Sequence, residues 1–343
     1  MATMAQIAEL AGVSRGTVDR VLNNRGNVSE VTADKIRQIA QSLHYTPSKA
    51  ARTLAALKHS ITIGFIMPLE LPAFYDLVIE GVNAKTTELE EFGVTVMIKK
   101  VSVNNLYDQI TAVQELVDSG AAGLVICGLN SQELSNRIRQ LTASGFPVIT
   151  SNTDMPDCGR LAYIGSNAYR EGRTVGQLMS QLIPRKKTLM VVRGFEDAFS
   201  CTDRMRGLKD FLSENSYPIQ IAKDIVCSTD DFVSYAIIKD TFKNGEPINA
   251  IYYTSGGVYG ACRALETIAP EKKPLLICHD CTQQNVDMLK KGIVDVIIGQ
   301  QPFTQGAQPL ELLFDWIGMR FKPVREAFYT NISLNIKENI SLY

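Results

Sequence analysis

From Ile61 onward the chain alternates short, nearly unbroken apolar runs with amphipathic stretches of helical length. The runs are ITIGFIM, VTVMIKKV, GLVICG, PVITSN, LAYIGS, TLMVVRG, IQIAKDIV, AIYYTS, LLICHD and VDVIIG. An apolar run without polar alternation suits a strand covered by helices on both faces, so these segments predict parallel sheet. Residues 74–91, 106–119, 133–144, 169–183 and 202–214 predict helices between them. The resulting β-α-β series is an α/β fold. Ten strands are many for one open sheet, and two lobes of about five are easier to cover. The tail FYTNISLNI alternates and reads as a last edge or crossover strand.

The first 60 residues follow a different period. Thr3 and Gln6 form a capping-box start, in which each side chain satisfies a free backbone N–H. Ile7, Leu10 and Ala11 give the first helix an apolar edge, Gly12 breaks it, and Val13 folds inward as a plug. Ser14 then caps a second helix that buries Val18, Val21 and Leu22 and leaves Arg15, Gly16, Asp19 and Arg20 outward. Two short helices about a glycine turn match helix-turn-helix docking geometry; a small helical subdomain with a solvated charged face is the alternative. A third helix, from Ser29 or Thr32 to His44, presents Ile36, Ile39, Ala40 and Leu43 as one stripe. Pro47 stops it, because the residue before a proline resists the α region. Ser48 can cap SKAARTLAALKHS, a basic segment too short to be stable alone in water. It is either a helix that folds on a partner or an ordinary linker.

Charge separates the two regions. Residues 1–60 carry a formal +4 and the remainder −5, inside a 343-residue chain whose net charge is −1. A small basic module is attached to a larger, mildly acidic body. No run of 18 apolar residues and no charged-then-apolar leader appear, so a cytoplasmic protein is expected. Seven cysteines lie mostly in apolar segments, as expected of reduced buried thiols. Cys278 and Cys281 form a C-x-x-C with no second Cys/His pair at ligand spacing, which favours a structural reading over a metal or redox one.

Enzyme motifs are missing: no phosphate-cradling glycine loop, no G-x-S-x-G elbow and no H-E-x-x-H. The three histidines, His44, His59 and His279, have no nucleophile to serve. No cofactor and no metal site is therefore expected, and the chain is read as a non-enzyme. Polar and aromatic residues do recur just beyond strand ends, where open α/β sheets bind ligands. Phe74 and Tyr75 follow the first strand, Asn152 and Asp154 the fourth, and Thr202 and Arg204 fall in the loop after TLMVVRG. Thr254 and Ser255 follow AIYYTS, Asp280 follows LLICHD, and Gln300 follows VDVIIG. Taken singly, each also reads as a cap or loop residue. As a set they suit a sugar or other small polyol, with forked polar groups on hydroxyls and aromatic faces on C–H bonds.

These segments together resemble the lactose-repressor (LacI) family of bacterial transcription regulators, over essentially the whole length. The motifs are IAELAGVS-RGTVDRVLNN at 7–24, VS-EVT at 28–32, and the Y-x-P and A-R-x-L elements of YTPSKAARTL at 45–54. The body is similar to ribose-binding-type periplasmic binding proteins through FYDLVIEG, FPVITSNTD, YIGSNAYREG, TSGGVYGACRALE and Gln300-Gln301-Pro302. The resemblance implies a homodimer, with no membrane partner, binding pseudo-palindromic double-stranded operator DNA. Arg15, Gly16, Asp19 and Arg20 would lie in the major groove, Arg20 on a guanine and Asp19 on a cytosine amino group. Ser14, Thr17 and Asn23 would hold phosphates. Residues 48–56 would be a hinge helix in the minor groove, with Lys49, Ala51 and Arg52 against DNA and Leu54 wedged between base steps.

An effector bound between the lobes would change their angle, move the hinges and so shift operator affinity. Family topology implies a helix-turn-helix domain at 1–47, a hinge at 48–60 and a body at 61–343. One lobe would comprise about 61–165 and 301–328, the other 166–300 and 329–343. Two departures matter: Asp19 stands where many members have serine, and Asn152-Thr153 where sugar-binding relatives often carry Asp-Arg. The first points to an unusual operator and the second away from a simple aldose. The competing readings are a transporter's solute-binding protein, which the helix-turn-helix opposes, and a sugar-modifying enzyme, which lacks an acid–base set. No heptad-like extension follows Tyr343, so dimer is expected over tetramer.

Overall fold

A computed structural model describes residues 3–22, 28–43, 45, 60–183, 187–195, 198–267 and 273–340. The expected hinge positions Lys49, Ala51, Arg52 and Leu54, together with Asn23, lie outside them. The chain folds into two compact units. One comprises Met1–Leu69, Val78–Ile164 and Phe303–Phe328; the other comprises Glu70–Leu77, Gly165–Pro302 and Tyr329–Tyr343.

The first unit begins with three helices, α1 (Met4–Ala11), α2 (Arg15–Leu22) and α3 (Glu30–Ser42). The Thr3/Gln6 capping box is present, and Gly12 ends α1 in the left-handed region at φ 71°, where a Cβ would be penalised. The Ser14 hydroxyl accepts from the Thr17 N–H at 3.1 Å and starts α2. Ile7, Ala8, Ala11, Val18, Val21, Leu22, Ala33, Ile36 and Ala40 form the core, with Val13, Ile39 and Leu43 packed at its margin. Leu10 does not join them: it is 58% exposed. On a two-turn helix whose buried face is centred on Ile7, Ala8 and Ala11, position 10 lies about 100° from Ala11. Phe321 closes the open side of this small core, its ring 6.0 Å from that of Tyr45.

The rest of the first unit is built on β1 (Ile61–Pro68), β2 (Val94–Val101), β3 (Gly123–Cys127), β4 (Val148–Ser151) and β5 (Ala162–Gly165). Its helices are α4 (Pro72–Glu90), whose first turns belong to the second unit, α5 (Leu106–Asp118) and α6 (Gln132–Ala143). The second unit contains α7 (Ala168–Leu182), β6 (Lys187–Arg193), α8 (Phe199–Glu214), β7 (Ile219–Val226), α9 (Asp231–Lys243), β8 (Ala250–Tyr253), α10 (Val258–Leu265), β9 (Leu275–His279), α11 (Gln283–Lys290) and β10 (Val296–Gly299). Then α12 (Pro302–Met319) returns to the first unit, and the tail supplies β11 (Ala327–Tyr329) and β12 (Ser333–Asn335).

All ten apolar runs are strands. The sheet orders are β11-β5-β4-β3-β1-β2 and β12-β10-β9-β8-β6-β7, one topology used twice. In each sheet the second strand in sequence, β2 or β7, is an edge. VTVMIKKV and IQIAKDIV are the mixed-polarity runs, and their exposed lysines and acids protect an otherwise open ladder. The tail, expected to give one strand, gives each sheet a short one. The β12 strand pairs antiparallel with β10.

Side-chain caps from Asn105, Ser131, Asn167, Asp230 and Thr282 start α5, α6, α7, α9 and α11. α8 has no side-chain cap at Ala198. It begins three residues before the Thr202 start expected from the sequence; Thr202 and Arg204, also read as loop residues after TLMVVRG, are helical.

Candidate functional site

In the N-terminal module, Arg15, Gly16 and Arg20 are exposed on α2, and Asp19 is half-buried. Asp19 therefore faces outward less fully than its spacing suggests. A Cβ at Gly16 would meet only the Ser14 hydroxyl, at 3.7 Å, so this face is open enough for close approach. Ser14 and Thr17 hydroxyls lie 2.9 Å apart at the start of α2, where free backbone N–H groups favour an anion. Lys35 donates to the Ala11 carbonyl at 3.0 Å, binding α3 to the end of α1.

The second unit gathers buried polar groups at the C-terminal ends of β8, β9 and β10. Arg204 is only 4% exposed. Its Nε donates to Glu171 Oε2 at 2.7 Å, Nη1 to the Thr254 carbonyl at 2.7 Å and Nη2 to Gln300 Oε1 at 3.4 Å. Ser166 donates to the same Gln300 oxygen at 3.2 Å, and Gln300 Nε2 donates to Asp280 Oδ1 at 2.6 Å. Thus Arg204, Thr254, Asp280 and Gln300, expected from sequence, are brought into one network. Exposed Thr202 stands outside it, on the first turn of α8. Beneath lies a hydrogen bond of 2.8 Å between the Tyr252 hydroxyl and His279 Nε2.

Glycines make this network possible. A Cβ at Gly172 would stand 1.9 Å from the Arg204 carbonyl, and one at Gly207 would stand 2.0 Å from that of Tyr169. The backbones of α7 and α8 therefore touch, which brings Glu171 against Arg204. Asp280, half-buried, sits in the left-handed region at φ 73°. Asn285 Nδ2 fixes it by donating to the carbonyls of His279 and Asp280 at 3.1 and 2.9 Å. Burial pushes the Asp280 carboxyl up to about 6, against the opposing pull of Arg204 and the Gln300 amide. Burial, and then the Arg204 charge, drive His279 well below the usual imidazole range, so it is neutral. Glu171 Oε1, Thr254 Oγ1 and His279 Nδ1 are buried without a hydrogen-bond partner among the described residues.

The first unit has a quieter counterpart. Asn152, at φ 63° after β4, donates to Gln305 Oε1 at 3.0 Å, and the Ser151 hydroxyl donates to the Gln305 carbonyl at 2.8 Å. Asp154 does not offer a free carboxylate. Arg160 holds both its oxygens, at 2.5 and 2.7 Å, and Thr150 and the Met155 N–H each donate to Oδ1 at 2.8 Å. It braces the turn after β4. Phe74 and Tyr75 are helical residues in the first turns of α4, each 4% exposed and packed edge to face at 5.1 Å.

Glu171, Ser166, His279 and Gln305 were missed by sequence reasoning. A signal for Glu171 existed: it shares a helical stripe at i, i+4 and i+8 with buried Val175 and Met179, as Arg204 does with Leu208 and Leu212. An acid and a base, each inside an apolar stripe of neighbouring helices, mark a buried pair.

Residues 63–318 match the family model described as periplasmic binding protein domain, and residues 3–48 match that of bacterial regulatory proteins, lacI family. Catabolite control protein A of Staphylococcus aureus (strain MRSA252) is 26% identical over 231 residues, spanning 66% of this chain and 65% of that relative. Among solved structures, GanP, a glucose-galactose binding protein from Geobacillus stearothermophilus, superposes with a TM-score of 0.75 at 22% identity, covering 83% of this chain and all of that one. A solute binding protein from Burkholderia graminis in complex with D-arabinose gives a TM-score of 0.75 at 21% identity, covering 83% and 99%. The body is a periplasmic binding protein domain. The chain belongs to the periplasmic binding protein domain family, and its N-terminal module is a domain of the bacterial regulatory proteins, lacI family, type.

Proposed function

We propose that this protein is a sequence-specific, DNA-binding transcriptional repressor whose operator affinity is set by a small, sugar-like effector. The reading rests above all on one conjunction. A lacI-type module with an open Arg15-Gly16-Arg20 face is joined to a body whose strand ends carry a hydrogen-bonding cluster. Arg20 reads a guanine edge and Asp19 a cytosine amino group, while Ser14, Thr17 and Asn23 hold phosphates. Lys49, Ala51, Arg52 and Leu54 form the minor-groove hinge. Asp280, Gln300, Thr254, Arg204 and Asn152 bind or orient the effector. The protein acts as a cytoplasmic homodimer, with domains at 1–47, 48–60 and 61–343. No helix among the described residues is long and apolar enough to cross a membrane.

A transporter's solute-binding protein is the second reading, favoured by the fold of GanP and opposed by residues 3–48. A thermal-shift screen of the full chain against neutral sugars and polyols tests the effector. A ligand at 100 times its dissociation constant should stabilise by about 2.7 kcal/mol. That shift should vanish in Asp280→Ala, and the same ligand should change DNA affinity. Binding without any effect on DNA affinity supports the transporter reading instead.

A further inference from the structure

The cation at the strand-end cluster of the second unit is Arg204, and its charge is already neutralised. Glu171, 0% exposed, accepts from Arg204 Nε at 2.7 Å, and two more of its five N–H bonds go to the Thr254 carbonyl and Gln300. Asp280 adds a second carboxylate through Gln300. With Asp280 ionised, the cluster holds two buried or half-buried acids against one base, and neutral His279 does not redress the difference. Among the unpartnered buried atoms Glu171 Oε1 points the same way, because it accepts only; the Thr254 hydroxyl can accept as well as donate. Hydroxyl groups of a ligand satisfy such atoms by donating. A phosphate or carboxylate brings acceptors alone and would be desolvated beside surplus negative charge.

We infer that Glu171 is a specificity-determining residue: by cancelling the charge of Arg204 it restricts the effector to uncharged polyhydroxyl compounds and rejects sugar phosphates and sugar acids. This rests on the reading of the cluster as the effector site, and it adds the ligand's charge class and the residue that sets it. Without Glu171, the same Arg204 would be a bare, pre-positioned guanidinium, a group suited to an oxyanion.

The test is calorimetric titration of the full chain with matched neutral and anionic probes: galactose against galacturonate and galactose 6-phosphate, glucose against glucose 6-phosphate, and D-arabinose against its 5-phosphate. The wild type should bind one neutral probe at least a hundredfold more tightly than its anionic partners. In Glu171→Gln this ratio should fall at least tenfold through a gain in anion affinity, and in Glu171→Asp, which restores the charge, it should recover. Comparable wild-type affinity for a neutral probe and its anionic partner overturns the inference. So does an unchanged ratio in a Glu171→Gln protein that retains a cooperative melt. If Glu171→Gln does not fold, the wild-type ratio decides alone. Tight binding of an anionic probe alone contradicts the charge class while sparing the effector site. Absence of binding by every probe overturns the effector-site reading and the inference with it.

Discussion

The two units use one scaffold and finish it with different chemistry. In each, the helix after the first strand crosses the helix after a fifth strand: α4 with α12 in the first unit, α8 with α7 in the second. A Cβ at Gly81 or Gly306 would stand 2.0 Å from the carbonyl of Phe303 or Val78; Gly207 and Gly172 meet Tyr169 and Arg204 at the same spacing in sequence. Each fourth strand ends in a left-handed residue whose N–H donates to the fifth, Asn152 to Ile164 and Asp280 to Ile298. The repeat aligns Gln305 with Glu171 and Val78 with Arg204. Both units thus bury a polar side chain at the helix crossing. In the first it is an amide beside a valine, and in the second it is half of an ion pair. Crossing geometry belongs to the fold, and the charge belongs to the site.

Breaking the pair should give the largest effect. Glu171→Ala or Arg204→Ala leaves a buried charge unopposed and should cost about 3–5 kcal/mol in urea unfolding, whereas Gln305→Ala should cost about 1–3 kcal/mol. The double change Glu171→Met with Arg204→Met should recover most of the stability while abolishing effector binding. Equal losses for Glu171→Ala and Gln305→Ala would erase the distinction between the units.

Next come the glycines, which should behave alike. Gly172→Ala and Gly306→Ala each force helices apart and should each cost about 3 kcal/mol. Thermal melts of the two variants measure how closely the units share their scaffold.

A smaller, pH-dependent difference follows from Asp280 against neutral Asn152. The Asp280 carboxyl, raised to about 6, faces Arg204 and Glu171 from the helices, with Cys278, Cys281 and neutral His279 from its own segment. As an effector acceptor it works when ionised, so affinity should fall about tenfold from pH 7 to pH 5. Its stability contribution has the opposite sign. A folded-state pKa above the usual carboxylate value favours the protonated fold, so this contribution is full below about pH 4 and is lost as pH rises through 6. Asp280→Asn should flatten both trends, which titration calorimetry and melting at matched pH values will reveal.

How much of this was legible depended on whether a residue's role is local. Buried parallel strands announce themselves because both faces must be apolar, and every such run from Ile61 to Gly299 is a strand. The polar-capped helices α5, α6 and α7 begin within one residue of their expected starts. α8, whose cap position is Ala198, begins three residues before its expected start, which puts Thr202 and Arg204 one turn further into the helix. Asp280 and Gln300 were legible from their position after strands. Asp154 had the same signature, but Arg160, six residues on, occupies it. Glu171 was overlooked because an acid on a helix normally faces water, and only a partner 33 residues away explains its burial.

The most direct test of the regulator reading is selection of duplexes from a random pool by the full chain, then titration of the selected DNA at several salt concentrations with and without the bound sugar. The expected result is a pseudo-palindromic sequence with two half-sites, affinity that falls steeply with salt, and at least a tenfold change in affinity on adding the sugar. Failure to enrich any sequence, or an enriched site whose affinity ignores a saturating ligand, would contradict it.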